Sequence, residues 1–155
     1  MAKIGYFVLC EDVQLANREN NPQAQPVQAL LAPIVVLPLP FLPTAFSLAF
    51  SVGVSDININ KNHNFKLEIV NTSYSNELAY TISSELDIAP FRNEEVLKNS
   101  NGKDGFLQFG GPLKNVIFKK AGWYEAKFYF DGVLLASLTF KVRVDTEGGV
   151  VYGAG

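Results

Sequence analysis

The sequence predicts an all-β fold, an antiparallel β-sandwich of about eight strands with one short helical turn. Three observations carry that prediction. Large apolar residues recur with period two in several separate runs, phenylalanine dominates the aromatic set (12 Phe in 155 residues), and Gly, Asn and Pro punctuate the runs. A chain of this length buries roughly 68–70% of its unfolded surface, enough for a core without disulfides or metals. One domain is expected over residues 1–144, followed by a Gly-rich tail over 145–155.

The elements follow in order. Lys3–Asp12 reads as a first strand, and Glu11 and Asp12 end its apolar run too early for a signal peptide. Leu15–Pro26, LANRENNPQAQP, is a polar loop. Val27–Leu37 reads as a second, almost wholly apolar strand interrupted at Pro33. From Asn20 to Ser55 the chain has 36 residues without Asp, Glu, Lys or Arg, which on hydropathy alone suggests a membrane span. Pro33, Pro38, Pro40 and Pro43 exclude a spanning helix, because each removes a donor and clashes with the preceding turn. Ala45–Val54 instead alternates Phe46, Leu48, Phe50, Val52 and Val54 with small residues, a strand with one large and one small face.

Asn64–Asn71 alternates through Phe65, Leu67 and Ile69, and Leu78–Leu86 does so more weakly through Tyr80 and Ile82. In Phe91–Gly105, Asn93 is placed to cap one helical turn through Lys98. Phe106–Phe109 and Lys114–Lys119 read as short strands split by Gly110-Gly111-Pro112. Two runs, Tyr124–Phe130 and Leu134–Val144, flank Asp131-Gly132, the pattern of a hairpin closed by a type I′ turn.

KKAGWYEAKFYFDG, Lys119–Gly132, resembles the end of an immunoglobulin-like sandwich. The resemblance makes Gly122 and Tyr124 the residues of a structural tyrosine corner and sets Ala126 where such domains carry their second cysteine. The opening, MAKIGYFVLCEDVQ, is similar to an uncharacterised bacterial family of unknown function whose members begin with a strand ending Leu-Cys-Glu-Asp-Val, here Leu9 to Val13. The neutral, proline-rich middle departs from that pattern. The likeness implies a bacterial or phage setting and transfers no catalytic residue.

Groups that could carry chemistry are scarce. Cys10 and His63 are the single Cys and His, so a tetrahedral zinc site built from those ligands is excluded. One cysteine also points to a reducing, cytoplasmic compartment, or to a virion if the chain is phage-encoded. A Cys10–His63 dyad is disfavoured by the carboxylates beside Cys10, and His63, in a polar turn, is expected to be solvated. Asp56, Asn58, Asn60 and Asn62 reproduce the alternate-oxygen spacing of a calcium loop. Lys61 and Leu67 stand where its glycine and bidentate glutamate belong, so an Asn-rich connection accounts for the same residues better. Glu11 with Asp12 point to opposite strand faces, and Glu94 with Glu95 suit a helix start.

The chain therefore reads as non-enzymatic, with no catalytic residue, metal or cofactor. A net charge of −2 gives no footprint for nucleic acid. Association is the expected role, with another protein or with copies of itself as a self-assembling structural subunit. The candidate contacts are Leu37, Leu39 and Phe41 in LPLPF, and Val150, Val151 and Tyr152 in the tail.

Overall fold

The structure, a computed structural model, describes residues 2–16, 27–89 and 105–145. These form nine strands: β1 (Lys3–Ala16), β2 (Val27–Pro33), β3 (Val36–Leu39), β4 (Thr44–Ile57), β5 (His63–Asn71), β6 (Glu77–Leu86), β7 (Gly105–Phe118), β8 (Gly122–Phe130) and β9 (Val133–Val144). They build a sandwich of two sheets, one ordered β2-β1-β4-β7 and the other β3-β9-β8-β5-β6. The order β9-β8-β5 facing β4-β7 is that of an immunoglobulin-type sandwich. All pairings are antiparallel except β3 with β9. No described helix is long and apolar enough to cross a membrane.

Three boundaries differ from expectation. The first strand runs on to Ala16, because β2 folds back along it from Val27↔Ala16 to Pro33↔Cys10. Val27–Leu37 is not one strand. It divides after Pro33, and the chain crosses to the other sheet, where β3 pairs with β9. Phe106 to Phe118 is continuous, since Gly111 and Gly110 lie opposite Phe50 and Ser51 with no side chain to obstruct the approach. A Cβ on Gly110 would collide with the Phe50 carbonyl oxygen. Pro112 is tolerated there because β7 is an edge strand. Asn115 absorbs a register shift with a left-handed backbone (φ 58°) and donates its N–H to Ser47 Oγ at 3.2 Å. The helical turn expected at Asn93–Lys98 lies outside the described residues.

Between the sheets, Leu48, Phe50, Val52 and Val54 of β4 pack against Leu67, Ile69, Ala126 and Phe128. Phe50, Phe65, Phe109 and Phe128 form a chain of ring contacts with centroids 5.2–6.2 Å apart. The small face of β4 looks outward. There the Tyr6 ring lies against Gly53, and its hydroxyl pairs with Ser51 Oγ and accepts from Gln108 Nε2, each at 2.8 Å.

A second aromatic group closes one end. Tyr124 stacks on Phe140 (5.6 Å, 21°) and meets Phe118 edge-on (5.2 Å, 83°). Its buried hydroxyl donates to the Lys120 carbonyl at 2.6 Å, the geometry of a tyrosine corner. Gly122 turns the chain into β8 at φ 129°, a conformation that side-chain-bearing residues rarely adopt.

Two substitutions test this account. Tyr124→Phe keeps the rings and removes one hydrogen bond, so it is expected to cost about 1 kcal/mol in urea unfolding with an unchanged far-UV spectrum. Gly110→Ala forces β7 off β4 and is expected to cost more, about 1–3 kcal/mol, as overpacking does.

Candidate functional site

The two ends of the sandwich differ in chemistry. At one end the Asn-rich β4–β5 connection meets the β8–β9 turn. Asp131 and Gly132 take φ 49° and 81°, the two positive values a type I′ turn requires. The Asp131 carboxylate accepts the Asn64 N–H at 2.9 Å, and the Asn64 carbonyl accepts the Asp131 N–H at 2.7 Å. His63 is not solvated, as expected from its polar neighbours, but buried and stacked on Phe130 at 4.9 Å. Its Nδ1 lies 2.6 Å from Asp131 Oδ2 and its Nε2 2.7 Å from the Asn58 carbonyl oxygen. A His–carboxylate pair can orient a general base, but here the far nitrogen is held by backbone. The pair is a structural tie.

Two of the Asn oxygens are committed in the same way. Asn58 Oδ1 accepts the Asn60 N–H at 2.8 Å and Asn62 Oδ1 the Ile88 N–H at 3.0 Å. Asp56 faces Lys3 at 3.6 Å. The calcium-like spacing thus serves largely to turn the chain, and no group of three or more His, Cys, Asp or Glu side chains placed to hold a metal ion occurs among the described residues. Cys10 lies in the opposite sheet from His63, fully buried with Sγ 3.7 Å from the Ala49 carbonyl. Burial pushes its thiol up, away from the thiolate a nucleophile needs. Glu11 and Asp12 are exposed on β1, and Glu94 and Glu95 lie outside the described residues.

The tyrosine-corner end is the opposite case. Phe41 (61% exposed), Tyr74, Leu78, Ile117, Trp123 and Val144 all project into solvent there, and Val35 and Val36 adjoin them along β3. Between the rims of β6 and β7 opens a cleft of about 190 Å³ lined by Asn71, Glu77, Leu78, Ala79, Ile117, Lys119 and Tyr124. Lys120 bridges Glu77 at 3.7 Å and lies over the Tyr74 ring, and Lys141 lies over Trp123 at 5.8 Å. Among the described residues, Lys119 and Arg143 bring the cations at this end to four, against Glu77 and Asp145, on a chain of net charge −2.

The LPLPF segment divides. Leu37 and Leu39 are buried, 3% and 2% exposed, so they are core residues and not surface contacts, and only Phe41 stays outside. Alternation along β3 explains this, because β9 pairing turns Leu37 and Leu39 inward. The same pairing orients the backbone. Val35 and Leu39 accept hydrogen bonds from Lys141 and Asp145, so the even-numbered residues turn their main-chain groups to the open side. Those positions include Pro38 and Pro40, which have no N–H to offer. The β3 edge is therefore blocked against an added strand.

The structure brings Phe41 and the root of the tail together, since Val144 lies opposite Leu39 and Asp145 bonds to it. Val150, Val151 and Tyr152 lie outside the described residues. The exposed Leu78, Ile117 and Trp123 were missed as contacts. Strand parity was the available signal for Trp123 and Ile117, since each occupies the outward position beside inward neighbours.

A model for a family of unknown function, DUF6941, matches residues 5–143, and the chain belongs to that family. No functionally curated protein matches it. Among solved structures, the alkylpurine DNA glycosylase AlkC of Pseudomonas fluorescens, bound to DNA containing an abasic site analog, is similar over 92% of this chain and 30% of its own (TM-score 0.49, 10% identity). A β-glucosidase from Listeria innocua in complex with glucose is similar over 88% of this chain and 16% of its own (TM-score 0.40, 11% identity). At these levels neither likeness bears on what this chain does.

The polar end carries a pH signature. Burial alone would raise the Asp131 carboxyl, but the Asn64 N–H, the His63 hydrogen bond and the charges of His63 and Lys61 outweigh it and hold it below its usual range. A carboxylate lowered in the folded state stabilises above its unfolded value near ~3.9 and loses that contribution as pH falls through the folded value. Asp131→Asn, which tolerates the same left-handed backbone, is expected to melt lower than the parent chain at neutral pH. The difference should close as melting is repeated below pH ~4.

Proposed function

We propose that this DUF6941 member is a non-enzymatic protein-interaction module that engages its partner through the tyrosine-corner end. The observation that carries the reading is the exposure of Phe41, Tyr74, Leu78, Ile117, Trp123 and Val144 at one end of the sandwich, where Leu78, Ile117 and Lys119 also line a cleft. Scattered surface hydrophobes are ordinary, whereas an apolar group rimmed by charge is what interfaces present. Trp123 and Phe41 supply large, rigid contact area of the kind that concentrates binding energy. The sheets beneath hold these groups rigidly, because Tyr124, Phe118 and Phe140 pack directly under them.

Self-assembly as a structural subunit of a bacterial or phage particle is the second reading. It is favoured by the Asp145 N–H to Leu39 carbonyl bond (2.7 Å), which starts the tail at the same end.

Site-specific photocrosslinking tests the proposal. A photoreactive residue at Phe41 or Ile117 is expected to capture one defined protein in native-host lysate, and the same residue at Leu134, at the far end, is expected not to. Trp123→Ala should weaken the captured complex at least tenfold, since a hot-spot side chain contributes about 2 kcal/mol. Identical capture from all three positions overturns the reading.

A further inference from the structure

The proposal above leaves open what fills the cleft between β6 and β7. We propose that its occupant is the C-terminal segment of a second copy of this chain, exchanged reciprocally so that two copies meet corner end to corner end. The inference rests on the reading of that end as an interaction surface.

Complementarity of charge and shape is the first support. The cleft is lined by Leu78, Ala79 and Ile117 beside the polar Asn71, Glu77 and Lys119, of which Glu77 is paired with Lys120 while Lys119 has no carboxylate partner among the described residues. Its volume, about 190 Å³, equals roughly six waters' share of liquid, room for one large side chain. The tail reads Asp145-Thr-Glu-Gly-Gly-Val-Val-Tyr152, acidic first and apolar after. Glu147 matches Lys119, and Val150 to Tyr152 match the apolar walls.

Direction is the second. β9 runs out of the corner end, and the Asp145 N–H bond to Leu39 keeps that heading one residue past the strand. A chain on that course moves towards whatever faces this end. Returning to its own cleft would require it to reverse and cross the Lys119–Ala121 loop. A facing copy related by a two-fold axis offers its cleft directly, and each tail then fills the other's site, a closed isologous contact. The acceptor is the cleft and not the β3 edge, which Pro38 and Pro40 block.

Light scattering after size exclusion, on the full chain from low to high micromolar concentration, reads the outcome. The parent chain is expected to run as a dimer of twice 17.0 kDa. Tyr152→Ala and Lys119→Glu should each require at least tenfold more protein to dimerise, with circular dichroism unchanged. Lys119→Glu combined with Glu147→Lys should restore dimerisation, a rescue that general destabilisation does not give.

A parent chain monomeric at every concentration overturns the inference. If Tyr152→Ala then alters hydrogen exchange at Glu77–Ala79 in that monomer, the tail occupies its own cleft instead. Species larger than a dimer, or a dimer indifferent to all three changes, overturn it too. A monomer that still yields one crosslinked partner from Phe41 sinks only this inference and leaves the interaction module standing.

Discussion

Tyr124 is the side chain through which the rest of this molecule is organised. It enters from β8, stacks on Phe140 of β9 in its own sheet and meets Phe118 of β7 in the other, so one ring fixes the distance between the sheets. Its hydroxyl then ties back to Lys120 and sets the angle at which the chain passes from one sheet to the other. A buried hydroxyl must find a partner or cost free energy, and here the partner is the main chain of the crossing itself. The exposed residues around it inherit that rigidity.

The two ends express two solutions to closing a sandwich. One is sealed by side-chain and main-chain hydrogen bonds made by His63, Asp131 and four asparagines. The other is sealed beneath by aromatic rings and left apolar above. A protein that needed only to fold could have finished both ends with polar turns. At the polar end the side-chain oxygens of Asn58, Asn62 and Asp131 and the ring nitrogens of His63 already face partners within the protein.

Much of the architecture was legible because a strand's period of two is written residue by residue. Ala45–Val54, Asn64–Asn71 and the final hairpin carried that alternation cleanly, and Tyr124 announced its corner by position. What stayed hidden depended on neighbours far along the chain. Nothing local marks Gly110 and Gly111 as strand residues, because their fitness comes from Phe50 and Ser51 across the ladder. His63 looked solvated because its neighbours in sequence are polar, while Phe130 and Asp131, which bury it, lie 67 and 68 residues away. Leu37 and Leu39 misled for the same reason. Their hydrophobicity was plain, but only the pairing of β3 with β9 decides which way each one points.

The prolines of β3 also govern what the five-stranded sheet can become. Of its two edges, β3 offers no donors at Pro38 and Pro40, while β6 presents ten residues without a proline. A sheet with one dead edge cannot polymerise by repeated strand pairing. Two copies joined through β6 would consume both open edges and leave a dead one at each side. Growth along that sheet stops at a pair, which sets the chain apart from sandwiches whose two open edges can template a fibre.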